Sequence, residues 1–460
     1  MLQIGLRSLG LRTVWAGGLC LVLAGIAAAQ VVTVSFQNGV NGYSGTFDRL
    51  IGERSGDEKD GSGVANYFLD GFLPDRSSPD TQALVRFDGI FGNDPNHIPA
   101  GATILKAELI LTTSRVGNAQ TAGPYGVAGL LKPFDSKTSY FANFTTTTDM
   151  GSRGPWWQDG SATRPVGGFG AEAQGATDSA NVTPVVQSWA DGAPANGFVI
   201  QAGLSDTVNL AANTSDGWSI CTTGDPMTNE RPKLKVSYTT VPVVKHTFQN
   251  GLKGYAGTTM AIVRSGPNAL IKDTDALTSP EKTEDGATLD QTFLDGVNFI
   301  DSKGNTNSPD DLTLLQFANV FGTEPNQAPK DVPVAKAWVV ITTGSTSGSC
   351  QSTGPYAAYP MLRPWDVTSL HSSFGKVNGL QVTDGDVGPI LASMTGFIRG
   401  SEVWFDVTRY LEGVRTGTAD YGISIQANGT ADGWQIHATG STTPDARPRL
   451  VVYSAALAAK

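Results

Sequence analysis

Cysteine and histidine are scarce: three cysteines and four histidines in 460 residues. That is too few thiols for a disulfide-stapled scaffold or a thiolate zinc site. No Gly-x-Ser-x-Gly elbow, His-Glu-x-x-His helix or phosphate loop occurs. Lys and Arg are scattered on an acidic chain of formal net charge −10, with no basic stripe to follow a phosphate backbone. Nucleic acid is therefore not an expected partner. Beyond the first 29 residues no apolar run is long enough to span a bilayer.

Those first 29 residues read as a secretory signal. Arg7 and Arg12 give a basic start, an apolar run extends from about Val14 to Ile26, and Ala27-Ala28-Ala29 offers a cleavage site. The alternative, an uncleaved anchor helix, is disfavoured by the shortness and glycine content of the run. A secreted, extracellular product is expected, or a periplasmic one where an outer membrane exists, with no membrane insertion after cleavage. Cleavage would remove two arginines and no acid, taking the net charge from −10 to −12.

What the chain does have is a long internal repeat. Phe36-Gln37-Asn38-Gly39 returns as Phe248-Gln249-Asn250-Gly251, and Phe68-Leu69-Asp70-Gly71 as Phe293-Leu294-Asp295-Gly296. Gly123-Pro124-Tyr125 returns as Gly354-Pro355-Tyr356, Asp216-Gly217-Trp218 as Asp432-Gly433-Trp434, and Arg231-Pro232 as Arg447-Pro448. A period above 200 residues is too long for a solenoid and implies two copies of a domain, 30–240 and 241–460. Cys221 aligns with His437, and Cys350 with Ala119, so no disulfide is common to both copies. One bridge between the copies and two separate thiols both stay open.

The local signals are β. Leu105, Ala107, Leu109 and Leu111 alternate with Lys106, Glu108, Ile110 and Thr112. That is the period of a strand with one buried face. Ala335, Ala337, Val339 and Ile341 repeat it in the second copy. One short helix is expected at Thr183 to Trp189, matched by Thr408 to Val414. Short strands punctuated by glycine and proline predict an all-β chain of two tandem antiparallel β-sandwich, jelly-roll-like domains.

The order of motifs resembles the DNRLRE domain family of secreted bacterial and archaeal proteins. The motifs are the Phe-Gln-x-Gly-x-x-Gly-Tyr-x-Gly-Thr opening, the Leu84-Val85-Arg86-Phe87-Asp88 strand and the Gly101 to Leu109 strand. Val182-Thr183 with Gln187-Ser188-Trp189, Asn196-Gly197-Phe198, and the closing strand Arg231 to Tyr238 follow. Some members of that family are classed as carbohydrate-binding modules, and the resemblance implies an extracellular polysaccharide as partner, with acidic alginate among the reported ligands. The second copy departs from the pattern, with Gln316 for Arg86, Ala318 for Asp88 and Val414 for Trp189.

Duplication also tests chemistry. The counterparts of His97, His246, His371 and His437 are Gln327, Val34, Tyr140 and Cys221, so no histidine site is shared. The shared acids Asp70/Asp295, Asp80/Asp310, Asp135/Asp366 and Asp216/Asp432 nearly all stand beside glycine or proline, which favours turn formation over a glycosidase pair. Acidic glycine-rich loops carry Asp57, Asp60 and Asp70 in the first copy and Asp285, Asp290 and Asp295 in the second. They are either solvated turns or ligands for a structural calcium. Trp156 and Trp157, with Tyr140 upstream, stand in a turn-rich segment of the first copy alone. They either plug the fold or form a sugar platform. Trp338, where the first copy has Glu108, is a sugar platform or a contact between the copies. The resulting expectation is a non-catalytic carbohydrate-binding protein. A structural cell-surface, matrix or adhesion protein using the domains as spacers is the rival reading, and an enzyme with one active copy is the third.

Overall fold

The structure is a computed structural model. It describes residues 31–52, 56–70, 81–138, 144, 155–203, 217–264, 281–296, 311–344, 350–374, 380–430 and 432–456. The leader segment 1–29, Tyr140, Asp80, Asp216 and Asp310 lie outside the described residues.

Each copy contributes one four-stranded and one six-stranded antiparallel sheet, in the same strand order. Across the first copy's smaller sheet run Val32–Gln37, Lys233–Thr239, Thr103–Thr112 and Thr177–Asn181. Val243–Phe248, Arg449–Ala455, Val334–Thr342 and Glu402–Asp406 repeat that order. The six-stranded sheets are ordered Lys59–Asp60, Thr46–Gly52, Thr81–Phe87, Phe198–Ala202, Tyr125–Gly129, Gly167–Phe169, and Lys282–Asp285, Thr258–Arg264, Asp311–Phe317, Ile423–Ala427, Tyr356–Pro360, Ala392–Met394.

The all-β expectation holds, with 43% strand and 10% helix. The arrangement corrects the rest: the small antiparallel sheets are arranged as a four-bladed β-propeller, not as two tandem jelly-roll sandwiches. The physical reason is that period-two alternation specifies a strand with one buried face. It carries no information on how the sheets bearing those faces are set around one another.

The alternating positions do fill a core. Ala107, Leu109 and Leu111 are buried with Val85, Phe198 and Val236 in one cluster of the first copy. Ala337, Val339, Ile341, Leu315, Ile423 and Val452 form its counterpart. Trp218 anchors the first cluster, its ring 5.2 Å from Tyr125 and 5.1 Å from Phe169, and its indole N–H donates to Thr113 Oγ1 at 2.9 Å. Trp434 does the same against Tyr356 and Phe397, donating to Thr343 Oγ1 at 3.1 Å. A buried indole needs that acceptor, which accounts for the repeated threonine.

The helices are Thr183–Ala190 and Thr408–Thr416. Both start the same way. Asn181 Oδ1 accepts from Thr183 N and Oγ1, and Asp406 Oδ1 accepts from Thr408 N and Oγ1. Those side-chain bonds satisfy amide groups that a helix start leaves open. They also fix the last residue of each preceding strand.

Candidate functional site

A cleft of about 440 Å³ opens between the copies. Strand register shows how it is built. Glu108 stands opposite Asn181 in the first copy, and Trp338 opposite Asp406 in the second. Two pairs further on, and so on the same face, Ser179 stands opposite Ile110 and Trp404 opposite Val340. The copies thus present equivalent positions to the same space. The first wall carries Lys106, Glu108, Ser179 and Asn181; the second carries Trp338, Trp404 and Asp406, with Lys336 at the place of Lys106. Part of the lining is the edge strand Ala392–Met394.

The second wall is aromatic. The Trp338 and Trp404 rings meet edge to face, centroids 6.2 Å apart. Lys336 Nζ lies 4.5 Å from the Trp338 ring, and the Arg449 guanidinium 5.3 Å from the Trp404 ring. Both rings are buried, and neither indole N–H meets an acceptor among the described residues. A buried donor without a partner costs free energy.

Four cations around the cleft are paired with acids. Lys106 Nζ is 2.7 Å from Glu108 Oε1, with Lys235 Nζ 3.9 Å from Oε2. Lys336 pairs with Asp406. Arg449 donates to Glu402 at 2.7 Å. Asp178, also in the lining, meets Glu172. Burial, then the bond to Asp178 and its charge, pushes the Glu172 carboxyl well up.

A second contact between the copies is a seam. The Arg399 guanidinium of the second copy lies 5.3 Å from the Trp156 ring of the first, and Trp157, covered within its own copy by the Arg164 guanidinium at 4.1 Å, packs against Gly400. Glu402 N donates to Pro165 O at 2.7 Å. The structure therefore places Trp156 and Trp157 against the second copy, with Trp156 only 6% exposed, and it places Trp338 in the cleft wall. Gly168 and Gly396 meet backbone to backbone at the seam. A Cβ on Gly396 would collide with Phe169 N and Gly168 C.

The acidic-loop residues are not brought together. Asp60 and Asp285 each accept a backbone N–H two residues on, at 2.9 Å, capping a short 3₁₀ turn. Asp290 accepts from Ser441 Oγ and from Thr442 N and Oγ1. Asp295 Oδ1 accepts from Gly296 N. Asp57 and Asp70 are half-buried. Among the described residues, the one group of three whose ligand atoms lie within 4.8 Å of one another is Cys221, Asp225 and Glu230. Glu230 Oε1 is taken by two guanidinium bonds from Arg115, at 3.0 and 2.8 Å. Cys221 and Cys350 are separate buried thiols, not a disulfide. Burial, then the neighbouring Asp225 and Glu230, pushes the Cys221 thiol up.

Sequence reasoning reached Trp338 but missed Trp404, Asn181 and Asp406. The one usable signal is the shared Val-Thr helix start. It aligns Asn181 with Asp406, and hence Ser179 with Trp404.

No protein-family model matches the chain, and no curated protein matches it. The resemblance to DNRLRE domains rests on the sequence motifs. Among the described residues, no helix is long and apolar enough to cross a membrane.

Proposed function

We propose that this is a secreted, non-catalytic protein that binds a segment of an extracellular polysaccharide in the cleft between its copies. One observation carries the reading: equivalent strand positions have diverged into a polar wall, Lys106, Glu108, Ser179 and Asn181, facing an aromatic one, Trp338 and Trp404 with Asp406. A sugar ring presents apolar C–H groups and hydroxyl edges together, and such a cleft meets both. Its volume is in the range of small-ligand pockets.

The test is native affinity electrophoresis of the mature chain over a panel of polysaccharides, beside Ser179→Trp. The second copy already carries tryptophan at that position, so the bulk suits the strand while filling the cleft. Retardation by a glycan, lost in Ser179→Trp with unchanged melting, supports the reading. Retardation that survives the filled cleft places binding elsewhere.

A second reading, a rigid spacer in a surface or matrix protein, is favoured by the Arg399–Trp156 stack and the Glu402–Pro165 bond across the seam. It predicts self-association or cell-wall attachment without glycan retention.

A further inference from the structure

We infer that the cleft selects uncharged saccharides and rejects anionic ones, with Glu108 and Asp406 as the specificity-determining residues. The inference rests on the binding reading above. The lining sets one cation, Lys106, against Glu108, Asp178 and Asp406. The cations that touch these acids and the Trp404 ring are occupied. Lys106 and Lys235 flank Glu108, Lys336 pairs with Asp406, and Arg449 is held by Glu402 behind the Trp404 ring. Asp178 has another acid, Glu172, as its neighbour.

A uronate carboxylate entering this space would lose hydration beside two indole rings and meet three acids in a lining whose one cation, Lys106, is already paired. To gain an ion pair it would have to break one already made. A neutral sugar meets no such cost, because paired carboxylates still accept hydrogen bonds from hydroxyls on their remaining lone pairs. The protein thus carries lysines at the site, yet its own carboxylates have taken them.

The duplication supplies variants that keep the fold. Asn181 makes the same two bonds to Thr183 that Asp406 makes to Thr408, so Asp406→Asn keeps the helix start while releasing Lys336. Glu108→Gln keeps the side-chain shape and releases Lys106 and Lys235.

The experiment runs the full chain, Glu108→Gln and Glu108→Gln/Asp406→Asn at low salt in native gels. The gels contain neutral polymers (hydroxyethylcellulose, laminarin, galactomannan) or uronate polymers (alginate, polygalacturonate). The wild type is expected to be retarded by at least one neutral polymer and by neither uronate. The double variant is expected to gain uronate binding by about fivefold or more, the order expected for a released, partly exposed charge. Should the double variant melt abnormally, Glu108→Gln alone gives the same readout. Uronate retardation of the wild type that Ser179→Trp abolishes overturns the selectivity while leaving the binding reading intact. A folded double variant without any gain on uronates also overturns it. If no polymer retards the wild type, the binding reading fails and the selectivity falls with it.

Discussion

Trp338 occupies in the second copy the strand position that Glu108 holds in the first, and both side chains line one cleft. Duplication supplied two equivalent walls; substitution made them different. A site assembled this way belongs to the pair of copies and not to either one.

Stoichiometry follows from that. Two independent modules would bind two ligands and gain avidity on a repetitive polymer. A shared cleft binds one. Titration calorimetry with a short oligosaccharide of whichever polymer retards the chain should give one site per chain. Two equal sites per chain would remove the shared cleft as the binding site.

The core tryptophan of the first copy should contribute more through packing than through its hydrogen bond. Trp218→Ala leaves a large void among Tyr125, Phe169 and the strand residues, and is expected to cost about 3–5 kcal/mol. Thr113→Val keeps the shape but strands the indole N–H, costing about 1–3 kcal/mol. Urea midpoints measure both. Equal costs would mean that packing is not what the ring contributes.

Much of this core was legible in the sequence, because the information is local. The alternation at Ala107 to Leu111 names the buried face, although a register shift puts Ile104 and Val334 in the cores where Leu105 and Ala335 were expected, and the helix starting at Thr183 ends at Ala190, one residue past the expected Trp189. Val414 as the end of the second helix falls two residues short of Thr416. What was not legible is non-local. The propeller arrangement depends on how sheets are set around one another. Trp404 enters the site through pairing of Glu402–Asp406 with a strand some sixty residues earlier. Trp156 and Trp157 looked unpartnered because Arg399 and Gly400, which they meet, belong to the other copy.

The first copy should be stabilised by mild acid through Asp48. Burial pushes this carboxyl from 3.8 up to about 6, against the opposing bonds from Thr223 N and Oγ1. A raised acid binds its proton more tightly folded than unfolded. Its contribution is therefore full below about pH 4 and is lost as pH rises through 6. The whole effect is up to about 3 kcal/mol. The second copy has Met260 at this place, so the titration belongs to one copy. The stability difference between wild type and Asp48→Asn should shift toward the variant between pH 4 and 7. A difference independent of pH would show that Asp48 does not titrate in that window.

The seam should respond to a single methyl group. Gly396 has φ +73°, and a Cβ there would strike the backbone of Phe169 and Gly168 in the first copy. Gly396→Ala therefore adds a clash across the copies to the ordinary strain of a left-handed residue. Gly385 separates the two effects, having φ +76° and open space where its Cβ would stand. Gly396→Ala is expected to destabilise by about 1–3 kcal/mol more than Gly385→Ala, the usual cost of overpacking a filled contact. It should also red-shift tryptophan emission, as Trp156 loses the Arg399 cover and Trp157 its contact with Gly400. Equal costs for the two alanines, with unchanged emission, would mean that the copies do not press together at Gly396.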